Sequence, residues 1–540
     1  MLSHTPDTLL EAMQNPAFYP HPANTHIQSI HTHISSVFLT GEFAYKIKKP
    51  VNFGFLDFTQ LADRKHFCEE ELRLNRRLAP DLYLGVVAIA YKNGTYSLHE
   101  AATPDVTDPD VVEYAVKMRQ FDTQQQLDHL LSVGSLSLTH INALALQIAQ
   151  FHRNCEPAAS ETPWGKSASV LEPMLHNFVP LRQYLTDSAL QDHLQTLEQW
   201  TQQTWQALQP VLTQRKHEGR IRACHGDMHL GNIALIDGEI TIFDGIEFND
   251  SLRWIDTASE IAFLCMDLHS RNAPQYANRA LNAYLEASGD YGLLAVFSFY
   301  CVYRALVRAK VNALRLPQQT VAEERAASVK TCNAYLDLAQ RYTQRTRPSL
   351  IISHGLSGSG KSWGCRQLGD ELGFIHLRSD VERKRLNAMS ATERSSTGLD
   401  QGIYSPNMST RTYDRLAQCS ALALDQGYCV VVDATFLDAT QRQRFQTLAA
   451  AHHASFLILH FSASVEQLEH NIRTRQSANN DASDADVAVL HQQLAHYKPL
   501  QDHEPCVTVR SNHALPIATI QAQLNSLGDN NAPSYTHTAD

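Results

Sequence analysis

The chain has 540 residues, and 45 Lys plus Arg against 56 Asp plus Glu give it a formal charge of −11. At 43% hydrophobic and 19% charged residues it has the composition of an ordinary globular protein, which excludes a disordered or fibrous chain. The length buries a sizeable core and fits about three or four units, or two larger ones, and the acidic balance argues against a protein that coats nucleic acid, leaving only a local basic groove. No two of the ten cysteines are spaced as CxxC, so they are expected to be buried thiols in a reducing cytoplasm rather than zinc or redox ligands. His31/His33 and His452/His453 carry no partner that marks a metal site. Residues Met1 to Pro20 lack the basic and apolar pattern of a signal peptide. The longest uncharged apolar run, Gly292–Tyr303, falls short of the roughly 20 residues that span a bilayer. A cytoplasmic protein without membrane contact is expected.

In chain order, Ser36–Leu39 and Phe43–Lys48 alternate as strands around the turn Thr40-Gly41-Glu42. Leu61–Leu78 reads as a helix. Tyr83–Tyr91 and Val111–Phe121 carry further strand material. The pattern then turns helical over Leu136–His152, Leu181–Arg220, Trp254–His269, Ala277–Glu286 and Phe297–Leu316. A small β-rich beginning and a large helical body predict two lobes with a cleft. The helical pattern of 321–346 breaks at Arg345–Pro348, and Ser349–Ser353 reads as a buried strand. That places a domain boundary between 346 and 347. The second domain runs to 527, and the polar tail 528–540 is expected to be disordered.

The stretch Cys224-His225-Gly226-Asp227-Met228-His229-Leu230-Gly231-Asn232 leads into the apolar run Ile233–Ile236. Asp237-Gly238 follows, then Glu239–Phe243 and Asp244. Asp-Gly between two apolar runs predicts a two-residue hairpin. Counting back from the turn pairs Ile236 with Glu239 and Asn232 with Phe243, so Asp244 lies beside Asn232 at the open end. An amide oxygen and a carboxylate side by side suit magnesium. Asp227 leads into the same end, where it can accept a proton from a substrate hydroxyl. Phosphoryl transfer divides its labour in this way, between a carboxylate that orients the nucleophile and a metal that neutralises phosphate. Asp256 and Glu260, in the helix that follows, read as structural polar positions.

The Asp-x-x-x-x-Asn spacing, hairpin and Asp resemble the catalytic loop and metal segment of the protein-kinase-like superfamily. His225-Gly226-Asp227 is similar to its aminoglycoside phosphotransferase branch. The resemblance covers roughly Val37 to Arg345. It implies an α+β two-lobed domain over 1–346, with a strand lysine on the α- and β-phosphates of ATP and a helical glutamate holding that lysine. Lys46 and Glu71 fit these roles, with Lys48 and Glu70 as alternatives a position or two away. Only Gly41 stands where protein kinases carry several glycines over the nucleotide.

Gly355-Leu356-Ser357-Gly358-Ser359-Gly360-Lys361-Ser362 satisfies the phosphate-binding-loop pattern, between a strand at Leu350–Ser353 and a helix at Lys361–Leu372. Backbone N–H groups of Gly355, Ser357, Gly358, Ser359 and Gly360 are placed to curl around phosphate at a helix N-terminus. Lys361 is placed for the β- and γ-phosphates, and Ser362 for magnesium. The buried strand ending at Asp433 brings a second carboxylate to the metal side. Asp380, after the strand Phe374–Leu377, and Arg383 resemble the acceptor end of small P-loop kinases, the polynucleotide-kinase-like group included. There the Asp activates the accepting hydroxyl and the Arg binds the acceptor. Beyond a strand at Leu457–Phe461, Arg473 and Arg475 on the helix Val465–Arg475, with the polar stretch Ser477–Ala485, read as a lid or as a solvated surface helix. The run Arg378, Arg383, Lys384, Arg385 reads as a solvated helix face.

Over its full length the chain resembles two-domain bacterial proteins joining an aminoglycoside phosphotransferase-like domain to a P-loop kinase-like (AAA-type ATP-binding) domain of α/β class with a mostly parallel sheet. The resemblance implies an ATP- and Mg2+-dependent phosphotransferase with two nucleotide sites acting on hydroxyl groups of a small-molecule acceptor. Two alternatives are a nucleotide-sensing regulator and a P-loop half acting on a nucleic-acid 5′ hydroxyl.

Overall fold

The computed structural model describes residues 6–52, 54, 56–99, 108–390, 393, 403, 405–478, 483–495, 497–511 and 513–529. They fall into two units, Met1–Ala143 with Asn154–Val170 and Thr213–Leu264, and Leu144–Arg153 with Leu171–Leu212 and Cys265–Asp540.

The first unit is built on six antiparallel strands: β1 (Gln28–His31), β2 (Ser35–Leu39), β3 (Phe43–Lys48), β4 (Tyr83–Lys92), β5 (Thr95–His99) and β6 (Val111–Arg119). Their order is β1-β2-β3-β6-β4-β5. The predicted hairpin forms β2 and β3, with Val37 opposite Lys46. The edge strands β1 and β5 lie outside the predicted elements; three of the four β1 residues are exposed, so it shows no apolar alternation. The helix Leu61–Asn75 packs on β4 and β6 and buries Arg64, Cys68, Glu71, Leu74 and Asn75. Spacings of three and four put these five on one face. Arg64 Nε donates to both carboxylate oxygens of Glu113 on β6 at 2.9 Å.

Further on, β7 (Ile221–Ala223) pairs with β10 (Trp254–Asp256), and β8 (Ile233–Ile236) pairs with β9 (Glu239–Ile242). The first pairing corrects the predicted helix Trp254–His269. Residues 254–256 form a strand, and the helix begins at Thr257. Asp256 starts it by accepting the Ala258 N–H at 2.8 Å.

In the second unit the predicted helix Leu181–Arg220 is two helices, Phe178–Tyr184 and Ser188–His217. Asp187 accepts the Ala189 and Leu190 N–H groups at 3.0 and 3.3 Å and so starts the second one. The helix Leu294–Ala313 packs against Ala322–Thr343. A segment within Tyr291–Gln318 is long and apolar enough to cross a bilayer by length and composition, and 72% of it is buried inside the protein, as in a core helix. The remainder is a five-stranded parallel sheet of β11 (Ser349–His354), β12 (Ile375–Arg378), β13 (Val430–Asp433), β14 (Ser455–Ser462) and β15 (Cys506–Arg510), in the order β12-β13-β11-β14-β15. Every residue of β11, β12 and β13 is buried, as strands of a parallel sheet covered on both faces are. The architecture is thus a kinase-like fold followed by an α/β P-loop fold. The part of the polar tail beyond Asp529, and residues 479–482 of the predicted lid loop, lie outside the described residues.

Candidate functional site

In the first unit, the Asp237-Gly238 turn has φ values of 54° and 83°, the pair of positive angles that a primed two-residue turn needs. The register runs from Ile236↔Glu239 to Ile233↔Ile242. The Phe243 N–H then donates to the Asn232 carbonyl at 2.9 Å, which carries the pairing one residue further. Asp244 follows with φ 61°, and its N–H donates to the Tyr83 hydroxyl at 3.1 Å. A left-handed aspartate is a strained conformation of the sort found where a side chain is aimed for function. The Asn232 side-chain NH2 donates to the Asp227 carbonyl at 3.0 Å and to its carboxylate at 3.1 Å. These bonds use the nitrogen of the amide, so its oxygen remains the group suited to a cation.

Lys46 Nζ donates to Glu71 Oε1 at 2.8 Å and to Asp244 Oδ1 at 2.5 Å. Lys48 Nζ donates to Glu71 Oε2 at 2.8 Å and also to Glu247. One glutamate therefore holds both candidate lysines, and Lys46 is the one that reaches Asp244. Glu70 instead pairs with Arg73 at 2.8 Å on the outer face. Burial alone would lower the Lys46 pKa, but the carboxylates of Asp244, Glu71 and Glu247 outweigh it and hold the ammonium well above its usual value. Burial works against ionised Glu71 as well, and the two lysines overcome it, bringing its carboxyl down to about 2. Glu247 moves the other way, upward, chiefly by burial and with Glu71 adding to it against Lys48. Of the two acids, Glu71 is the firmly ionised one, because it alone has two ammonium partners.

The His225-Gly226-Asp227 loop is fixed from three directions. Gly226 has φ 90°, and a Cβ there would meet the Leu252 carbonyl at 2.9 Å. The His225 and Gly226 N–H groups donate to the Glu260 carboxylate at 3.1 and 2.6 Å. Arg77 donates to the Ala223 and Cys224 carbonyls at 2.6 and 3.1 Å. His225 Nε2 lies 2.9 Å from the Phe243 carbonyl, so it must carry the proton and donate. Its Nδ1 accordingly accepts the Asp227 N–H at 3.3 Å. Burial lowers the His225 pKa and favours this neutral form. The imidazole thereby ties Asp227 to the strand that delivers Asp244. Asp256 has the structural place predicted for it, pairing with Arg215 through two 2.7 Å bonds. Glu260 is structural too, but its task is to clamp the loop backbone. Neither Lys48 nor Glu247 has a spacing that singles it out, and only the shared parity of Lys46 and Lys48 pointed to the former.

In the second unit the loop after β11 enters the helix Lys361–Leu372. Gly358 has φ 84°, and a Cβ there would lie 2.6 Å from the Leu468 carbonyl, so only glycine passes. The Ser359 hydroxyl is buried without a hydrogen-bond partner among the described residues. A buried, unsatisfied donor inside a loop of this shape fits an anion acceptor such as phosphate. Lys361 Nζ meanwhile donates to the Leu356 carbonyl at 2.8 Å. Burial lowers its pKa, and the negative charges of Asp433 and Asp380 oppose that shift. Asp433 is held at about 2: burial would raise it, but His376, Arg378 and the Ser362 hydroxyl outweigh that. Ser362 and Asp433 thus form a hard-oxygen pair suited to magnesium.

Two side chains missed by sequence reasoning touch the phosphate loop. Gln493 Oε1 accepts the Ser357 N–H at 2.9 Å, and Asn471 Nδ2 donates to the Gly358 carbonyl at 2.8 Å. Arg475 adds positive charge near Lys361 and donates to the Ala485 carbonyl at 2.6 Å. Arg473 departs from the lid reading. Its side chain is 66% exposed and pairs with Glu469 on its own helix; two residues' separation turns it about 200° away from Arg475. Arg383 is half-buried and donates to the Ile403 carbonyl at 3.3 Å. The expected solvated basic face is also corrected: Arg378 and Lys384 are buried and paired with Glu286 and Asp484 at 2.9 and 3.3 Å.

Comparison with known proteins finds two families along the chain, the first of which runs across the boundary between the two units. Residues 126–297 match the model of the phosphotransferase enzyme family, and residues 350–500 match that of an AAA domain. The chain resembles an aminoglycoside phosphotransferase-like domain joined to a P-loop kinase-like domain. An uncharacterized protein of Mycobacterium tuberculosis is 29% identical over 459 residues, which cover 85% of this chain and 88% of that one. Among solved structures, a choline/ethanolamine kinase family protein from Mesorhizobium loti is 12% identical, covering 62% of this chain and 97% of its own, with a TM-score of 0.36. A gluconokinase from Sinorhizobium meliloti is 18% identical, covering 35% of this chain and 95% of its own, with a TM-score of 0.25.

Proposed function

We propose that the chain is a cytoplasmic phosphotransferase with two ATP sites, each passing the γ-phosphate to a hydroxyl of a small molecule. The observation that carries the reading is the joined set of the first unit: Lys46 bridges Glu71 and Asp244 while Asn232 holds Asp227. In this reading Lys46 grips the α- and β-phosphates and Glu71 keeps it in place. The Asp227 carboxylate orients the acceptor hydroxyl and takes its proton as the new O–P bond forms. Asn232 and Asp244 are the residues that would hold Mg2+, as are Ser362 and Asp433 in the second unit. The ion supplies charge neutralisation of the phosphates when bound. In the second unit the backbone N–H groups of 355–360 cradle phosphate and Lys361 leaves the Leu356 carbonyl for it. Asp380 takes the acceptor proton there, with Arg383 and Arg475 on the anionic side. Arg378, Lys384 and Arg385 are drawn into ion pairs with Glu286, Asp484 and Glu382, which favours a small acceptor over nucleic acid.

The test is transfer from γ-labelled ATP to a panel of hydroxyl metabolites. Asp227→Asn is expected to lower first-site transfer by roughly 10²–10⁴-fold with ATP binding kept. Lys361→Ala is expected to abolish turnover at the second. Tight ATP binding with no transfer to any acceptor by the unaltered chain would favour a nucleotide-sensing regulator instead.

A further inference from the structure

The helix Pro274–Ser288 lies inside the stretch matched by the phosphotransferase family, yet it lies along the P-loop sheet. Its Asn278, Asn282 and Glu286 are spaced by four residues and share one face. Each meets a successive point on the P-loop fold. Asn278 donates to the Asp370 carbonyl at 3.0 Å, and the neighbouring Arg279 pairs with the Asp370 carboxylate at 2.7 Å. Asn282 donates to the Phe374 carbonyl at 2.9 Å and accepts the His376 N–H at 2.8 Å. β12 is an edge strand, and Phe374 and His376 are the alternate residues whose backbone groups point outward. The Asn282 amide satisfies them as a neighbouring strand would.

Glu286 comes next. Its Oε1 accepts from Arg378 Nη1 at 2.9 Å. Arg378 sits opposite Asp433 in the β12–β13 register, and its Nε is 3.8 Å from Asp433 Oδ2. A single guanidinium therefore stands between Glu286 and the acid assigned to the metal side of the second site. Backbone carbonyls at the C-terminal end of the helix are bound in as well. Arg385 donates to the Glu286 carbonyl, and Arg415 to the Gly289 carbonyl at 3.3 Å.

We infer that Glu286 is a positioning residue of the P-loop site, supplied by the other family's segment: it holds Arg378 off Asp433 and so keeps that carboxylate open to a divalent cation. The inference rests on the proposed metal role of Asp433. Without the Glu286 charge, the Arg378 guanidinium turns wholly to Asp433 and competes with Mg2+. The P-loop segment is then not a separable module, because its metal side depends on a helix about ninety residues upstream (378 against 286).

The test is the Mg2+ dependence of binding of a fluorescent ATP analogue, measured on the full chain carrying Asp244→Asn so that the second site reports alone. Glu286→Gln is expected to raise the Mg2+ concentration at half-saturation by about tenfold or more. Adding Arg378→Gln is expected to bring it back, since the competitor is gone. Asn282→Ala is the structural control, expected to lower the melting temperature with the Mg2+ requirement unchanged. An unchanged requirement in Glu286→Gln, or a shift that persists in the Glu286→Gln/Arg378→Gln chain, would overturn the inference. Absence of Mg2+-dependent binding before any change at Glu286 would overturn the assignment of the second site itself.

Discussion

Replacing Glu71 with Gln separates the stability role of the buried charge cluster from its role in gripping nucleotide. Two lysines, Lys46 and Lys48, meet three carboxylates there, Glu71, Glu247 and Asp244. Glu71 is fully buried and is the only one bonded to both lysines. From its ordinary value of 4.5 its pKa falls to about 2. At about 1.4 kcal/mol per pH decade this corresponds to about 3 kcal/mol. Breaking a buried pair costs about 3–5 kcal/mol, and here each lysine keeps a second carboxylate, so the lower end applies. Because the folded pKa is depressed, this stability is present above about pH 4.5 and is lost as pH falls toward 2. Glu71→Gln should therefore unfold at lower urea than the unaltered protein at pH 7, and the gap should narrow steadily as pH falls below 4.5, where Glu71 takes up a proton on unfolding, and close only near the folded value of about 2. At the first site the same change should raise KM for ATP, since Lys46 loses one of its two anchors. Equal urea midpoints at pH 7, or a gap that stays constant down to pH 3, would refute the reasoning.

Other expectations follow from single contacts. Gln493→Ala removes the side chain that occupies the Ser357 N–H. Since a neutral hydrogen bond is worth about 1 kcal/mol, ATP should bind the second site roughly fivefold more tightly, read by calorimetry on the Asp244→Asn background; equal or weaker binding would contradict it. Gly226→Ala forces a Cβ to 2.9 Å from the Leu252 carbonyl at a φ of 90°. It should abolish first-site transfer while second-site turnover continues, and retained first-site activity would show that the loop is not fixed as described.

What could be read from the amino acids divides along physical lines. The phosphate loop and the Asp237-Gly238 hairpin were legible because local backbone geometry constrains their residues: a positive φ favours Gly, Asn or Asp, and the turn fixes the register out to Asn232 and Phe243. Lys46 and Glu71 were legible to within a position or two, since strand and helix parity narrow the choice but the partner lies 25 residues away. Glu247, Asn471, Gln493 and Glu286 were not, and Glu260 was legible as a structural residue but not as the clamp of the His225-Gly226 backbone. Each acts through a contact at long sequence separation, and in the chain each is one more polar residue in a helix or loop. Trp254–Asp256 was misread as helix because its pairing with β7 lies outside any local window, and Arg378 and Lys384 as solvated because the acids that neutralise them, Glu286 and Asp484, lie 92 and 100 residues away in the chain.

Two separate Mg2+-dependent ATP sites on one chain would show in the stoichiometry of Mg·ATP binding in titration calorimetry. Two sites per chain are expected, one in Asp244→Asn, one in Lys361→Ala, and none in the chain carrying both. A single site in the unaltered protein, or two sites persisting after either substitution, would contradict this.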